Sequence, residues 1–87
     1  MTLAVAPASD SEKKSRIGII ASRKVGRAVL RNRARRRIRE IFRRHQHEIR
    51  DGTWMVVIVS GRAARATYVQ MEDEWLRLAR RASILTP

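Results

Sequence analysis

Apolar and polar positions change their spacing several times along this chain. Thr2–Ala6, TLAVA, is a short run suited to a β-strand, and Pro7 ends it. Residues 8–15, ASDSEKKS, are small and polar and predict a flexible connection rather than a second domain. Arg16–Ser22, RIGIIAS, carries three isoleucines and predicts a strand covered on both faces, with Gly18 marking a close backbone approach. From about residue 30 the spacing becomes helical. On a wheel of about 100° per residue centred on Ile38, the side chains of Ala34, Ile41, Phe42, His45 and Ile49 fall within roughly 60°. Arg33, Arg36, Arg39, Glu40, Arg43 and Arg44 lie on the other side, so one helix can bury isoleucine and turn arginine outward. Arg31 would fall on the apolar face, which places Arg31-Asn32 near the helix N-terminus, where burial does not yet fix direction.

Asp51-Gly52 supplies a turn, and TWMVVIVS at 53–60 predicts a strand, β-branched and apolar on both faces, that Gly61 ends. Thr67 and Gln70 have capping-box spacing and open a final helix with Tyr68, Met71, Trp75, Leu78, Ala79 and Ala82 on one face. The order strand, strand, helix, strand, helix contains no internal repeat. It predicts one α+β domain over residues 1–87, with a small sheet of about three strands, a basic crossover helix and a C-terminal helix. The general expectation for such a crossover is right-handed.

Composition narrows the functional classes. The 87 residues make one domain at most and include no cysteine, so neither disulfides nor thiolate metal sites contribute. Twenty Lys+Arg against eight Asp+Glu give a formal net charge of +12, and arginine outnumbers lysine 17 to 3. Repulsion on that scale is tolerated most readily when a polyanion neutralises it, and the flat guanidinium fork suits phosphate. The longest apolar run, Trp54–Val59, is too short to span a bilayer, and the N-terminus lacks the charged region of a signal peptide. A soluble, cytoplasmic nucleic-acid-binding protein is expected, with no membrane partner and no feature that calls for an obligate protein partner.

The pattern offers little to catalysis. His45 and His47 stand two residues apart and point to different sides of a helix, whereas a helical metal pair needs three or four. The expected role of HQHE is instead a late-helix site where a positive imidazole suits the macrodipole. Glu72, Asp73 and Glu74 are expected in the solvated first turn of the last helix rather than around Mg²⁺. There is no Ser/His/Asp grouping and no glycine-rich phosphate loop, so no catalytic or metal-binding residue is assigned. The basic helix differs. Six of the nine positions from Arg31 to Arg39 are arginine, and Glu40 can pair with at most Arg36 and Arg44. Most of that charge is left for a polyanion, and the absence of a base-reading module favours an RNA binder that reads shape and phosphate over a binder of duplex DNA. Phe42, Trp54, Tyr68 and Trp75 all fall at positions assigned to core faces, which leaves no stacking platform.

SRKVGRAVLRNRARRRIREIF, Ser22–Phe42, closely resembles the signature of the bacterial ribonuclease P protein component. The matching positions are Ser22, Arg23, Lys24, Val25, Gly26, Ala28, Val29, Arg31, Asn32, Arg33, Arg35, Arg36, Arg39 and Glu40, in order over some twenty residues. RIGIIAS, WMVVIVSGRAA and TYVQMEDEWLRLARR extend the likeness over about residues 16–82. The resemblance implies a fold like ribosomal protein S5 domain 2, in which the basic helix forms a left-handed crossover. It also implies a protein subunit of ribonuclease P, joined to a catalytic RNA and to precursor tRNA, that assists removal of the tRNA 5′ leader. Mg²⁺ would act through the RNA. On that basis Arg31, Asn32, Arg33, Arg35, Arg36, Arg39 and Arg43 are expected to face RNA, with Ser22, Arg23, Lys24 and Gly26 shaping the adjoining surface. Family members usually begin with a helix and an extra strand that line the leader cleft with phenylalanines and basic residues. This chain is expected to start after both, and TLAVA lacks the aromatics of the cleft side. A structural RNA-binding protein of ribosomal type, without a role in cleavage, is the alternative; a protein-only metallonuclease and a DNA-binding regulator fit less well.

Overall fold

Among the described residues, three strands and three helices form around the apolar positions of the pattern. The structure, a computed structural model, describes residues 1–7 and 14–86. Strands β1 (Thr2–Pro7), β2 (Arg16–Ile20) and β3 (Thr53–Ile58) accompany helices α1 (Ala28–Arg44), α2 (Gly61–Arg65) and α3 (Tyr68–Arg81), with 3-10 turns at Arg23–Val25 and Gln46–Glu48. The sheet order is β1-β3-β2, with β3 central. β1 runs antiparallel to β3 and β2 runs parallel to it, so α1 is the crossover between parallel neighbours. Of the expected connection at 8–15, residues 8–13 lie outside the described residues. Ser15 is held in place: its hydroxyl donates to the Arg50 carbonyl at 3.0 Å and accepts from the Thr53 amide at 3.2 Å, fixing the start of β3.

The core lies between one face of the sheet and the helices. Met55 and Val57 of β3, Ala34, Ile38 and Ile41 of α1, and Met71, Trp75 and Ala79 of α3 are buried together. Each large apolar side chain so covered contributes about 1.5–3 kcal/mol. α1 ends at Arg44, so Ile49 is not on its apolar face. Ile49 is buried all the same, in an antiparallel bridge with Leu85 that the Arg50 amide to Ile84 carbonyl bond (2.8 Å) supports. α3 opens with the expected capping box: the Gln70 amide donates to Thr67 Oγ1 at 3.2 Å, and the Thr67 amide donates to Gln70 Oε1 at 2.9 Å. Ala82 is exposed past the helix end rather than part of its buried face.

Three sequence expectations about the strands need correction. β3 alternates strictly, with Thr53, Met55 and Val57 buried while Trp54, Val56 and Ile58 are exposed, so among the described residues the sheet is covered on one face only. β2 behaves the same way, with Ile20 exposed. Trp54 is therefore not a core residue; it is 37% exposed on the open face, with the Arg16 guanidinium 5.6 Å from its ring centroid. Gly18 marks no close backbone approach, because a Cβ there would meet only the Val56 side chain at 3.7 Å. β3 ends at Ile58, short of Gly61, which is instead the first residue of α2, a helix that the sequence pattern does not predict. Ser60 caps α2 by accepting from the Ala63 amide at 3.1 Å, and Ala63 and Ala64 are buried.

Candidate nucleic-acid interface

The basic surface begins at the turn before α1. Ser22 precedes the 3-10 turn, exposed and without a capping bond from its side chain, and Arg23 and Lys24 are exposed while Val25 is buried beneath them. Gly26 then adopts φ 137°, a conformation that L side chains rarely reach, and a Cβ there would sit 3.0 Å from Leu30 Cδ2. Only glycine lets the chain swing from the turn into α1. Arg27 is the N-cap residue and is exposed, an arginine that the sequence reading did not single out although it directly follows the motif glycine.

Along α1 the arginines divide into two sets. With Ile38 pointing to the core, Asn32, Arg36, Arg39 and Arg43 stand about 100–160° to one side at 100° per residue. All four are exposed. Arg33, Arg37 and Arg44 stand about 100–140° to the other side, and there each has a partner. Arg33 Nη2 donates to the Ala64 carbonyl at 3.4 Å and Arg37 Nη1 to the Ala66 carbonyl at 3.1 Å, while Arg44 pairs with Glu72 at 3.5 Å. The carbonyls at the end of α2 lack helical partners, and two arginines of α1 satisfy them. Arg33 is thus half-buried against α2 and not turned outward as its wheel position predicts. The reason is that α2, unread from the sequence, covers that flank. Arg31 and Arg35 lie closer to the apolar side and are half-buried; Arg35 Nη2 donates to the Ala21 carbonyl at 3.3 Å.

Asn32, Arg36, Arg39 and Arg43 therefore form a ridge with little internal compensation. Glu40 makes no ion pair with Arg36 or Arg44 among the described residues; of the α1 arginines only Arg44 has one, and its partner is on α3. At the start of α1 an open pocket of about 510 Å³ is lined by Gly26, Arg27, Val29, Leu30, Arg33 and Arg65, with Val29 80% exposed at its rim. Arg65 comes from α2, so no reading of the α1 pattern could have found it.

A protein-family model described as Ribonuclease P matches residues 1–83. The chain belongs to the ribonuclease P protein family. Relatives include the ribonuclease P protein component of Finegoldia magna, 40% identical over 74 residues that cover 85% of this chain and 66% of the relative. That of Thermus scotoductus is 39% identical over 71 residues, 80% of this chain and 41% of the relative. The chain thus spans less than two thirds of the length of these relatives. Among solved structures, the ribonuclease P protein of Staphylococcus aureus superposes with a TM-score of 0.85 at 28% identity, covering 97% of this chain and 75% of that one. The protein of Thermotoga maritima gives 0.79 at 31%, with 91% and 74% covered. The ribonuclease P protein fold is therefore shared over nearly the whole chain, and the arginine ridge stands on its crossover helix.

The far end of α1 in this ribonuclease P family member is closed by a clasp around His45. His45, the C-cap, bonds Glu48 through Nδ1 and Glu72 through Nε2 (3.0 Å for the latter), and its ring stacks on Trp75 with centroids 5.9 Å apart. Both ring nitrogens are thereby engaged by carboxylates. Glu72 and Glu74 lie in the second turn of α3, not in a solvated first turn, and Glu74 pairs with the Met1 amine at 3.1 Å. Burial would lower the His45 pKa, but the hydrogen bonds and charges of Glu48 and Glu72 outweigh it and raise the pKa above 6.5. The His45 hydrogen bond lowers the Glu48 pKa below 4.5.

A raised histidine stabilises the fold fully below its unfolded pKa, and that contribution is lost as pH rises through the folded value. The lowered carboxylate acts in the opposite sense, losing its contribution as pH falls through its own folded value. Melting temperature is expected to be highest between the two unfolded values, about pH 4.5 to 6.5, and to fall above neutrality. His45→Gln should melt below the parent in that window and approach it at pH 9. Parallel melting curves across this range would show that the clasp carries no linked proton.

Proposed function

We propose that this chain acts as the protein subunit of ribonuclease P, binding the catalytic RNA and precursor tRNA to assist removal of the 5′ leader. The observation that carries the reading is the ridge of Asn32, Arg36, Arg39 and Arg43, exposed and without acid partners among the described residues, on the crossover helix of a chain in this family. Guanidinium groups spaced along one line of a helix suit successive phosphates of a structured RNA. Ser22, Arg23, Lys24 and Gly26 continue that surface, and Arg33 and Arg35 support it by tying α1 to the Ala64 and Ala21 carbonyls, with the half-buried Arg31 beside them. The open face of the sheet suits a single-stranded leader: Trp54 and Arg16 offer a stacking surface beside Val56 and Ile58. Hydrolysis is assigned to the RNA, with Mg²⁺ acting there. Among the described residues no helix is long and apolar enough to cross a membrane, and the working compartment is taken to be the cytoplasm.

The test is reconstitution. Added to a ribonuclease P RNA at limiting Mg²⁺, the chain is expected to raise precursor-tRNA cleavage several-fold. RNA binding without any gain in cleavage would favour the ribosomal-type alternative, and cleavage by the chain without RNA would identify a protein nuclease.

A further inference from the structure

A second basic site lies away from the α1 ridge. Between α2, α3 and the start of β1 is a pocket of about 870 Å³ lined by Ser60, Gln70, Glu74 and the three arginines Arg62, Arg65 and Arg77. Three guanidiniums thus share one concavity with one carboxylate, and that carboxylate already pairs with the Met1 amine. None of the three arginines has an ion-pair partner among the described residues, and all are exposed. Ser60 and Gln70 are committed to the caps of α2 and α3, so neither offsets the charge. The Arg65 guanidinium lies against Gly61, where an added Cβ would come within 3.0 Å of Nη1.

We propose that this pocket is a second site for RNA backbone, in which Arg62, Arg65 and Arg77 hold phosphates of the same RNA that α1 engages. The proposal rests on the RNA-binding reading of α1 and adds to it a surface on the opposite flank of that helix. Two features favour RNA over an acidic protein partner. Arg65 also lines the pocket at the start of α1 with Arg27 and Arg33, so the two basic pockets share a side chain and adjoin one another from α1 across α2 to α3. Three guanidiniums lining one concavity also suit the closely repeated charges of an RNA backbone, each phosphate taking a forked hydrogen bond. An RNA strand that leaves the ridge at the N-terminal end of α1 would continue across these two pockets.

The probe is a transcribed ribonuclease P RNA titrated with the full chain across a range of salt. R62Q/R65Q/R77Q is expected to weaken binding about 10–100-fold near 0.1 M salt and to flatten the slope of log K against log salt by roughly 2–2.7. R62Q/R77Q, which spares the arginine packed on Gly61, should flatten it by roughly 1.4–1.8, and R62K/R65K/R77K should restore it. R36Q/R39Q is run alongside. Pocket variants that match the parent while R36Q/R39Q binds weakly overturn the pocket site and leave the α1 reading standing. Weak binding by the pocket variants with R36Q/R39Q unaffected supports the pocket and overturns the ridge; no change in either set removes both. Weaker binding with an unchanged slope also overturns the proposal, because a lost phosphate contact must release fewer counterions.

Discussion

Trp75→Ala is expected to leave the domain largely unfolded at room temperature. Trp75 is fully buried on α3, at the junction with His45 at the end of α1. Replacing a buried tryptophan with alanine costs about 3–5 kcal/mol in transfer and cavity terms. A domain of this length has roughly 4–13 kcal/mol of stability in all, and self-repulsion from a net charge of +12 places this chain toward the low end. Trp75→Phe should be far milder, since it keeps the aromatic surface and removes an indole N–H that finds no hydrogen-bond partner among the described residues. Urea denaturation followed by circular dichroism measures both. A Trp75→Ala midpoint within a few tenths molar of the parent would falsify the assignment of Trp75 to the centre of the packing.

The parts of the fold that could be read from the sequence are those where one physical signal had no competitor. α3 combines a capping box with apolar positions at three- and four-residue steps, and both agree. α1 alternates isoleucine with arginine so sharply that Ala34, Ile38 and Ile41 could face only one way. β3 is legible as a strand but its surroundings are not, because Trp54, Val56 and Ile58 are as apolar as Met55 and Val57 and erase the period of two that would reveal an open face. α2 escaped for a different reason. Five residues make little more than one turn, too few to establish a period, and the glycine that would ordinarily end a strand here follows its serine cap. That omission propagated to the site. Without α2 there are no orphan carbonyls for Arg33 and Arg37 to satisfy, and the helical pattern alone groups Arg33 with Arg36 and Arg39 instead of opposite them. Family likeness could not repair this, since a shared motif specifies which residues stand in the helix and not which carbonyl each guanidinium reaches.

The same division predicts the second large effect. Arg36→Gln/Arg39→Gln is expected to weaken RNA binding about tenfold for each residue at low salt, about 1.4 kcal/mol apiece, with no loss of thermal stability. Both side chains are exposed, and neither has a hydrogen-bond or ion-pair partner among the described residues. Removing two phosphate contacts should also flatten the salt slope by roughly 1.4–1.8, so that the variant and the parent converge as salt rises. Arg33→Gln/Arg37→Gln should behave differently. Those side chains cap α2 through the Ala64 and Ala66 carbonyls, and their loss costs about 1–3 kcal/mol of stability, about 4–8 °C in melting temperature for each kcal/mol in a domain of this size. The pairs stand only two or three positions apart in the sequence, Arg33 from Arg36 and Arg37 from Arg39, and carry the same charge. A purely electrostatic helix would treat them alike. Should both pairs lower affinity equally and melt equally, the two flanks of α1 would be equivalent, and the ridge would lose its claim to be the RNA-facing side.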